Sequence, residues 1–600
     1  MKKVTKNNCL FMLFVIACAT ITLVGCKNSD YDFDNVDKTL GFGVDKLMLP
    51  TDNSVNMVLD DLLDIDNSDL ISTNENGDYL FGKNPEPIDP VSVTIDPISK
   101  VGSTSEPASV HVDVSAVPQE YVGQEIDLEE KHISVEPQGK VSEFNKMLEV
   151  PEAVKDLDVI GLGDEGELLV VDLQIPSSLV SFSYIDIDLP KNLVMTWENP
   201  MNNGTFADNH LRLLAYTNST GHLTLTFKVT QIKKGRVAGQ NESFVDFVPA
   251  ASAGEKGTLS IQGTVSMAAK VRKLRVTGES VLSINGTMTF GDLEVKSVTG
   301  VFDPDINLTT AGTVHITSIP QFLTDEEVVA DLDNPQIYLT IRSTMPLNGL
   351  LQVQLKSDTY PDGIVFNDLY VKKSPDGETE TETHILLCRH RPNGDFANVQ
   401  ILTNDNLSKL VNKLEESMQI EFSVRDAKAV QETGTVLLAH EYHVTPSYKF
   451  SAPLAFGPKA VIVYSKTEDG LNDDIDDLAL DKNSYIHVKG TAVNRIPADL
   501  ELELTPIDIY GNDIPKEELE VQLIHYTVKG TRQEAVESPV EARLIDPKGT
   551  GIRKLDGIRL KLKARSNEEL RGVTLNKTSQ ALKLKDLSVE LVGKIVYDAN

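Results

Sequence analysis

Six hundred residues, 40% of them hydrophobic, can bury several cores, and three or four domains are expected at about 150 residues apiece. The formal charge of -34 excludes nucleic acid as a partner, because affinity there rests on Lys and Arg neutralising phosphates. It also opposes lying flat on an anionic lipid surface.

The chain opens with the basic Met1-Lys2-Lys3-Val4-Thr5-Lys6, then an apolar run from about Cys9 that closes on Leu23-Val24-Gly25-Cys26. A positive start, a short apolar run and small residues before a cut describe a secretory signal. An uncleaved membrane helix needs about 18 or more apolar residues. Here the run is shorter, and Lys27, Asn28, Ser29 and Asp30 follow at once. Leu23-Val24-Gly25-Cys26 resembles the bacterial lipobox. That resemblance implies a signal peptide over 1–25, cleavage before Cys26, and a diacylglyceryl and palmitate anchor on its thiol. Cys9 and Cys18 then leave with the leader, and Cys388 is the remaining free thiol, so no internal disulfide is available. The acidic stretch Asp30, Tyr31, Asp32, Phe33, Asp34 and Asp37 resembles the surface-export signal of Bacteroidota lipoproteins. Taken whole, the chain looks like the large β-rich surface lipoproteins of that group. The resemblance implies an outer-membrane, lipid-anchored protein exposed at the cell surface, with a periplasm-facing orientation as the alternative.

Residues 26–118 read as an acidic, Pro-containing tether with little core. Within it Ser54 to Ile65 is predicted to be a short helix, because Val55, Val58, Leu59, Leu62 and Leu63 share one helical stripe. Pro85, Pro87, Pro90, Pro97 and Pro107 favour extended chain. Beyond 118 period two dominates, as in Glu167 to Leu173, Ser181 to Asp188, His222 to Val229, Leu500 to Leu504 and Leu587 to Val592. Such alternation puts one face in a core and the other in water. Asn202-Asn203-Gly204 and Asn285-Gly286 read as hairpin turns. Asn406 to Met418 is the clearest helical stripe. The expected fold class is therefore mainly β, with tandem antiparallel β-sandwich-like or curled-sheet modules over 119–320, 321–466 and 467–600. An internal echo suggests duplication: Asp331 to Ile341, then Met345-Pro346, then Leu350 to Leu355, is laid out like Leu480 to Val488, Ile496-Pro497 and Leu500 to Leu504.

Candidate chemistry is sparse. His440-Glu441-Tyr442-His443 has its histidines at i and i+3, whereas the zinc-protease motif needs i and i+4 on a helix. Cys388 and His390 share a strand face, but two ligands are not a metal site, and His384 lies about 13 Å from Cys388 along the strand. Asp64, Asp66, Ser68 and Glu75 fall at positions 1, 3, 5 and 12 of a calcium loop that lacks its turn glycine. A second acidic knot, Asp473 to Asp477 after Asp469-Gly470, gives structural Ca²⁺ a further place; no other cofactor is expected. Gly161-Leu162-Gly163-Asp164-Glu165-Gly166 spells a dinucleotide-binding pattern, but that motif must open a helix and here a strand follows. No catalytic residues are assigned. Trp197 alternates with Leu193 and Met195 onto a core face, and Tyr442 and Tyr448 read as cross-strand packing. These features suggest a non-enzymatic envelope protein for binding, adhesion or scaffolding, with a glycan, envelope or host-surface partner. A lipid-binding protein with an apolar groove and a polysaccharide-degrading enzyme are the alternatives.

Overall fold

A computed structural model describes residues 39–598 except 50–53, 61–69, 84–85, 101, 103–105, 238–242, 305, 307–310, 318, 414, 416, 471, 473–477 and 483. Cys26, the acidic cluster behind it, the calcium-loop positions Asp64, Asp66 and Ser68, and the Asp473–Asp477 knot lie outside those residues. The described chain is built from antiparallel sheets, as its alternation predicts, with Val399–Thr403 added in parallel beside Thr381–Cys388.

Twenty-four of the described strands form one pattern three times. Three come early: β1 (Thr39–Leu49), β2 (Tyr79–Gly82) and β3 (Glu106–Asp113). A first group follows with β4 (Gln138–Val150), β5 (Glu167–Gln174), β6 (Leu179–Asp188), β7 (His210–Thr217), β8 (His222–Lys233), β9 (Gly257–Arg275) and β10 (Val281–Phe290). The second group is β11 (Ala311–Thr317), β12 (Gln336–Ser343), β13 (Gly349–Ser357), β14 (Tyr360–Val371), β15 (Thr381–Cys388), β16 (Ser417–Ala429) and β17 (Glu441–Pro453). The third is β18 (Val461–Glu468), β19 (Tyr485–Asn494), β20 (Asp499–Ile507), β21 (Thr527–Val528), β22 (Val536–Ile545), β23 (Gly557–Arg565) and β24 (Ala581–Asp598).

In the first group the strand orders are β4-β9-β6-β7 and β3-β10-β5-β8. The second has β11-β16-β13-β14 and β2-β17-β12-β15, and the third β18-β23-β20-β21 and β1-β24-β19-β22. Numbered one to eight within each unit, the strands pair one with eight, two with seven, three with six and four with five. That is the jelly-roll order. In each unit strand one comes from the early segment, and the assignment runs backwards: β3 completes the first sandwich, β2 the second and β1 the third. The first jelly roll is thus inserted between strands one and two of the second, and both lie between strands one and two of the third. β11 and β18, which the sequence places at the ends of the preceding modules, open the second and third sandwiches.

Three expectations are corrected here. Residues 39–113 are not a coreless tether; they supply sheet strands, and Tyr79, Phe81, Val110 and Val112 are buried. Ser54–Val58 is a strand on β24, with Val55 opposite Leu584 and Met57 opposite Leu582. Period two wins over the helical stripe there because β24 offers a partner edge; residues 61–65 lie outside the described chain. Among its described residues Asn406 to Met418 holds a 3-10 turn, Leu407–Val411, with no side-chain cap from Asn406, and Ser417 already begins β16.

Gly286 is a fourth correction. It sits inside β10, opposite Leu173 and Ala108, rather than in a hairpin turn. Asn202-Asn203-Gly204 does turn, with the Gly204 amide donating to the Met201 carbonyl at 2.9 Å. The echo also has a structural counterpart. Met345-Pro346 and Ile496-Pro497 both occur where strand three gives way to strand four on the facing sheet. Proline has no N–H for a ladder, so the chain leaves the sheet there. Ile175-Pro176 occupies the same place in the first unit, and Ile175, Met345 and Ile496 are all buried.

The units are joined side by side. Thr433–Leu437, from the second, pairs with Ser297–Phe302 of the first. Val329 pairs with Val461 and Ala455 with Thr574 across the second and third. No strand pairing joins the first to the third among the described residues. At the second joint Asp333 receives His390 Nε2 at 2.9 Å and Arg571 Nη2 at 3.2 Å. Glu327 also reaches across, pairing with Lys561 and, at 2.8 Å, with Lys563.

Those two lysines hold the Glu327 carboxyl at about 2, below its usual 4.5. A carboxylate depressed by folding stabilises above its unfolded value and loses that contribution as pH falls toward the folded one. Protection factors of the Val329 and Val461 amides, corrected for the intrinsic exchange rate, are therefore expected to fall between pH 4.5 and 2, and Glu327→Gln should remove that local step. Exchange at these amides with the same pH profile in wild type and Glu327→Gln would contradict this.

Candidate functional site

The outward face of the first sandwich carries the candidate site, where β6 and β7 pair antiparallel. Inward, Ile185 and Ile187 alternate into the core, and Phe182 joins them across an irregularity before Tyr184. Burying each contributes about 2 kcal/mol and fixes Tyr184, Asp186 and Asp188 outward by strand parity. Register sets Asp186 opposite Arg212 and Asp188 opposite His210. Opposite charges facing across an antiparallel pair stabilise it modestly.

The Arg212 guanidinium is held twice: Nε lies 3.0 Å from Asp186 Oδ1 and Nη2 3.2 Å from Oδ2. Its carbon stands 5.1 Å from the centroid of the Tyr184 ring, a cation–π distance. His210 Nδ1 meets Asp188 Oδ1 at 2.8 Å, and its Nε2 lies 3.6 Å from Asp186 Oδ1. Asp186 is well shielded, with 14% of its side chain exposed, whereas Asp188, His210 and Arg212 remain between 43% and 47% exposed. The result is a rigid outward platform with hydrogen-bond donors and acceptors beside one aromatic ring. It suits recognition of a hydroxyl-rich ligand. Sequence alone does not reveal it, because its signal is the complementarity of Tyr184-x-Asp186-x-Asp188 with His210-x-Arg212 across two strands that are separated by two others in the chain.

The motifs singled out from sequence do not converge. Tyr442 is fully buried, while Glu441 and His443 face outward and His440 precedes the strand. Tyr442 OH accepts from the Leu437 amide at 2.7 Å and lies 3.2 Å from the Leu437 carbonyl. Burial pushes its phenol up to about 12. Tyr448 is likewise core. Cys388 is buried, with Sγ 3.8 Å from the Leu402 carbonyl, and burial pushes its thiol up to about 11. A thiol so shifted stays protonated and unreactive near neutral pH. His390 is turned to Asp333 and His384 lies 3.6 Å from Glu382, so neither joins Cys388.

Gly161 to Gly166 is the turn between Val154–Gly161 and β5, with Gly163 and Gly166 at φ of 78° and 58°. No helix follows to hold a pyrophosphate. Trp197 is half-buried against the first core, its Nε1 donating to Asn199 Oδ1 at 2.9 Å. Glu75 is exposed. Among the described residues no group of three or more His, Cys, Asp or Glu could hold a metal ion. No described helix is long and apolar enough to cross a membrane.

No family model matches the chain, and no curated protein matches it. A crystal structure described as a secreted protein of Parabacteroides distasonis is similar at 15% identity and a TM-score of 0.32, over 49% of this chain and 89% of that one. The tandem CBM22 modules of Paenibacillus barcinonensis Xyn10C are similar at 10% identity and a TM-score of 0.13, over 59% of this chain and 92% of theirs. Likenesses this shallow say nothing of what the chain binds.

Proposed function

We propose that the chain is a lipid-anchored outer-membrane protein, exposed at the cell surface, that binds an external ligand without turning it over. The reading is that Cys26 carries the anchor and that the platform at Tyr184, Asp186, Asp188, His210 and Arg212 takes a glycan-like, hydroxyl-rich partner. The nested order of the jelly rolls is the observation that supports it. β1 belongs to the third sandwich, so an anchor at Cys26 would tether that unit first. About 13 residues separate Cys26 from Thr39, a span of at most about 45 Å when extended. The first sandwich, which among the described residues pairs with the second and not with the third, would then stand farthest from the bilayer with its platform outward.

Two measurements test this. Incorporation of labelled palmitate is expected in the wild type and absent in Cys26→Ala. On an array of polysaccharides and host matrix polymers, the wild type should be retained on some member, and Asp186→Ala or Arg212→Ala should weaken that retention at least tenfold. Cleavage of the retained polymer, or retention indifferent to both substitutions, overturns the assignment.

A further inference from the structure

Tyr510 is 81% exposed and its neighbour Ile509 is 55% exposed; among the described residues no other two consecutive large apolar side chains are exposed. They form the tip of the turn that follows β20. The turn beneath them is fixed. Asp508 Oδ1 accepts from the amides of Tyr510 and Asn512, each at 2.9 Å, and the Gly511 amide donates to the Asp508 carbonyl at 2.8 Å. Gly511 takes a φ of 75°, which a residue without Cβ adopts freely. Arg559 of β23 braces the side, donating to Asp513 Oδ1 at 2.7 Å and to the Gly511 carbonyl at 3.3 Å. The two acids flanking the tip are thus engaged by the protein itself, and the side chains presented outward are apolar.

Register places this tip in the molecule. Val461, whose pairing with Val329 joins the second sandwich, is opposite Arg565, and Arg565 is opposite Asp499. β20 runs from Asp499 away from that joint, so the turn after Ile507 stands at the far end of the third sandwich. β24 reaches the same end: its Leu582 is opposite Asn494, where the chain is about to cross into β20, and its Val592 is opposite Tyr485. Thr39, the first residue of β1, pairs with Asp598, beyond Val592. The two sheets meet there. Leu478–Leu480, paired with β24 at Tyr597 to Ile595, lies against Ile552–Lys554, and the Asp556 amide donates to the Ile507 carbonyl at 2.9 Å. The tether to Cys26 therefore leaves from the end that carries Ile509 and Tyr510.

We propose that Ile509 and Tyr510 enter the headgroup–acyl boundary of the bilayer that holds the anchor, so that the third sandwich stands on its end. Tyrosine suits that depth, because its ring is apolar and its hydroxyl stays wet. Two side chains alone hold a bilayer weakly. A tether of at most about 45 Å makes their insertion an intramolecular step at high effective concentration. Standing on end also keeps the acidic flanks away from anionic lipid. The bilayer as partner rests on the anchored reading; the place of the tip does not.

The test uses the full mature chain, joined through the Cys26 thiol to a maleimide lipid in vesicles of phosphatidylethanolamine and phosphatidylglycerol; Cys388 is buried and stays unreacted. Tyr510→Trp places an indole at the tip, and the wild type, whose sole tryptophan is Trp197, serves as the blank. The added emission is expected to shift to the blue and to fall at least twofold when the acyl chains are brominated. Met147→Trp, at a site 68% exposed on the first sandwich, should show neither change, and combining Ile509→Asp with Tyr510→Trp should abolish both. No quenching at the tip, equal quenching in Met147→Trp, or quenching indifferent to Ile509→Asp overturns the proposal. The coupling supplies the anchor chemically, whereas palmitate labelling at Cys26 is read in cells, so failure of the tip and failure of the anchored reading are distinguishable.

Discussion

Deletion of residues 39–49 is expected to loosen the third sandwich, whose strands two to eight begin more than four hundred residues later, while leaving the first intact. β1 runs antiparallel to β24 from Thr39 opposite Asp598 to Leu49 opposite Val589, with a bulge between Val44 and Leu47. Its ladder bonds are worth about 1 kcal/mol each in net terms, so the strand contributes on the order of 5 kcal/mol. That is a large fraction of the stability of an ordinary domain, typically about 5–15 kcal/mol. Removing it also bares the β24 edge, a template for aggregation. Amide exchange should accelerate across β19 and β24 and stay unchanged in β5 and β8. A synthetic peptide of residues 39–49, added in excess, should restore protection. Uniform exchange in the deleted and intact chains would show that β1 contributes nothing to the third unit.

The second large effect is expected at Gly286. A Cβ there would lie 1.8 Å from Val141 Cγ1 and 2.6 Å from the Val141 carbonyl oxygen. The side chain could rotate, but the carbonyl belongs to β4, which β9 pairs on both sides of a bulge at Val141. Relief therefore means pulling β10 from β5 or distorting β4. Overpacking a close-fitted core costs about 1–3 kcal/mol and sometimes more, and contact with backbone puts Gly286→Ala at the upper end, about 3 kcal/mol. Gly349→Ala is the control: its nearest neighbour would be 3.7 Å away, so that change should be neutral or stabilise by up to about 0.5 kcal/mol. Equal thermal midpoints for the two variants would refute the close approach.

Much of this fold is legible in the chain because strand parity is a local property. Leu169, Val171 and Leu173 announce a buried face by spacing alone, and the structure buries them. The Pro-marked crossings at Met345-Pro346 and Ile496-Pro497 are equally visible, and Ile175-Pro176 carries the same mark. Partnership is another matter. Nothing in Thr39 to Leu49 names Ala581 to Asp598 as its neighbour, since pairing between distant strands leaves no trace in either. Ser54 to Val58 shows how this misleads. Val55, Val58 and Leu59 satisfy a helical stripe in isolation, and only the edge of β24 selects the extended form. Gly286 follows the same rule: Asn-Gly is a turn signal by chemistry, overridden by a neighbouring strand that leaves no room for a side chain. The platform residues were likewise individually unremarked, because Asp186 and Arg212 acquire meaning only once β6 and β7 lie side by side.

The nesting also orders events in time. During synthesis β3 meets β10 while the second and third units are still missing most of their strands, so the innermost jelly roll can close first. The second must wait for β17, and the outermost for β24. Closure therefore proceeds like brackets being shut from the inside, and a chain cut short near its end would leave the early strand Thr39–Leu49 without a sheet to join. Completeness at the C-terminus is thereby checked at the N-terminus.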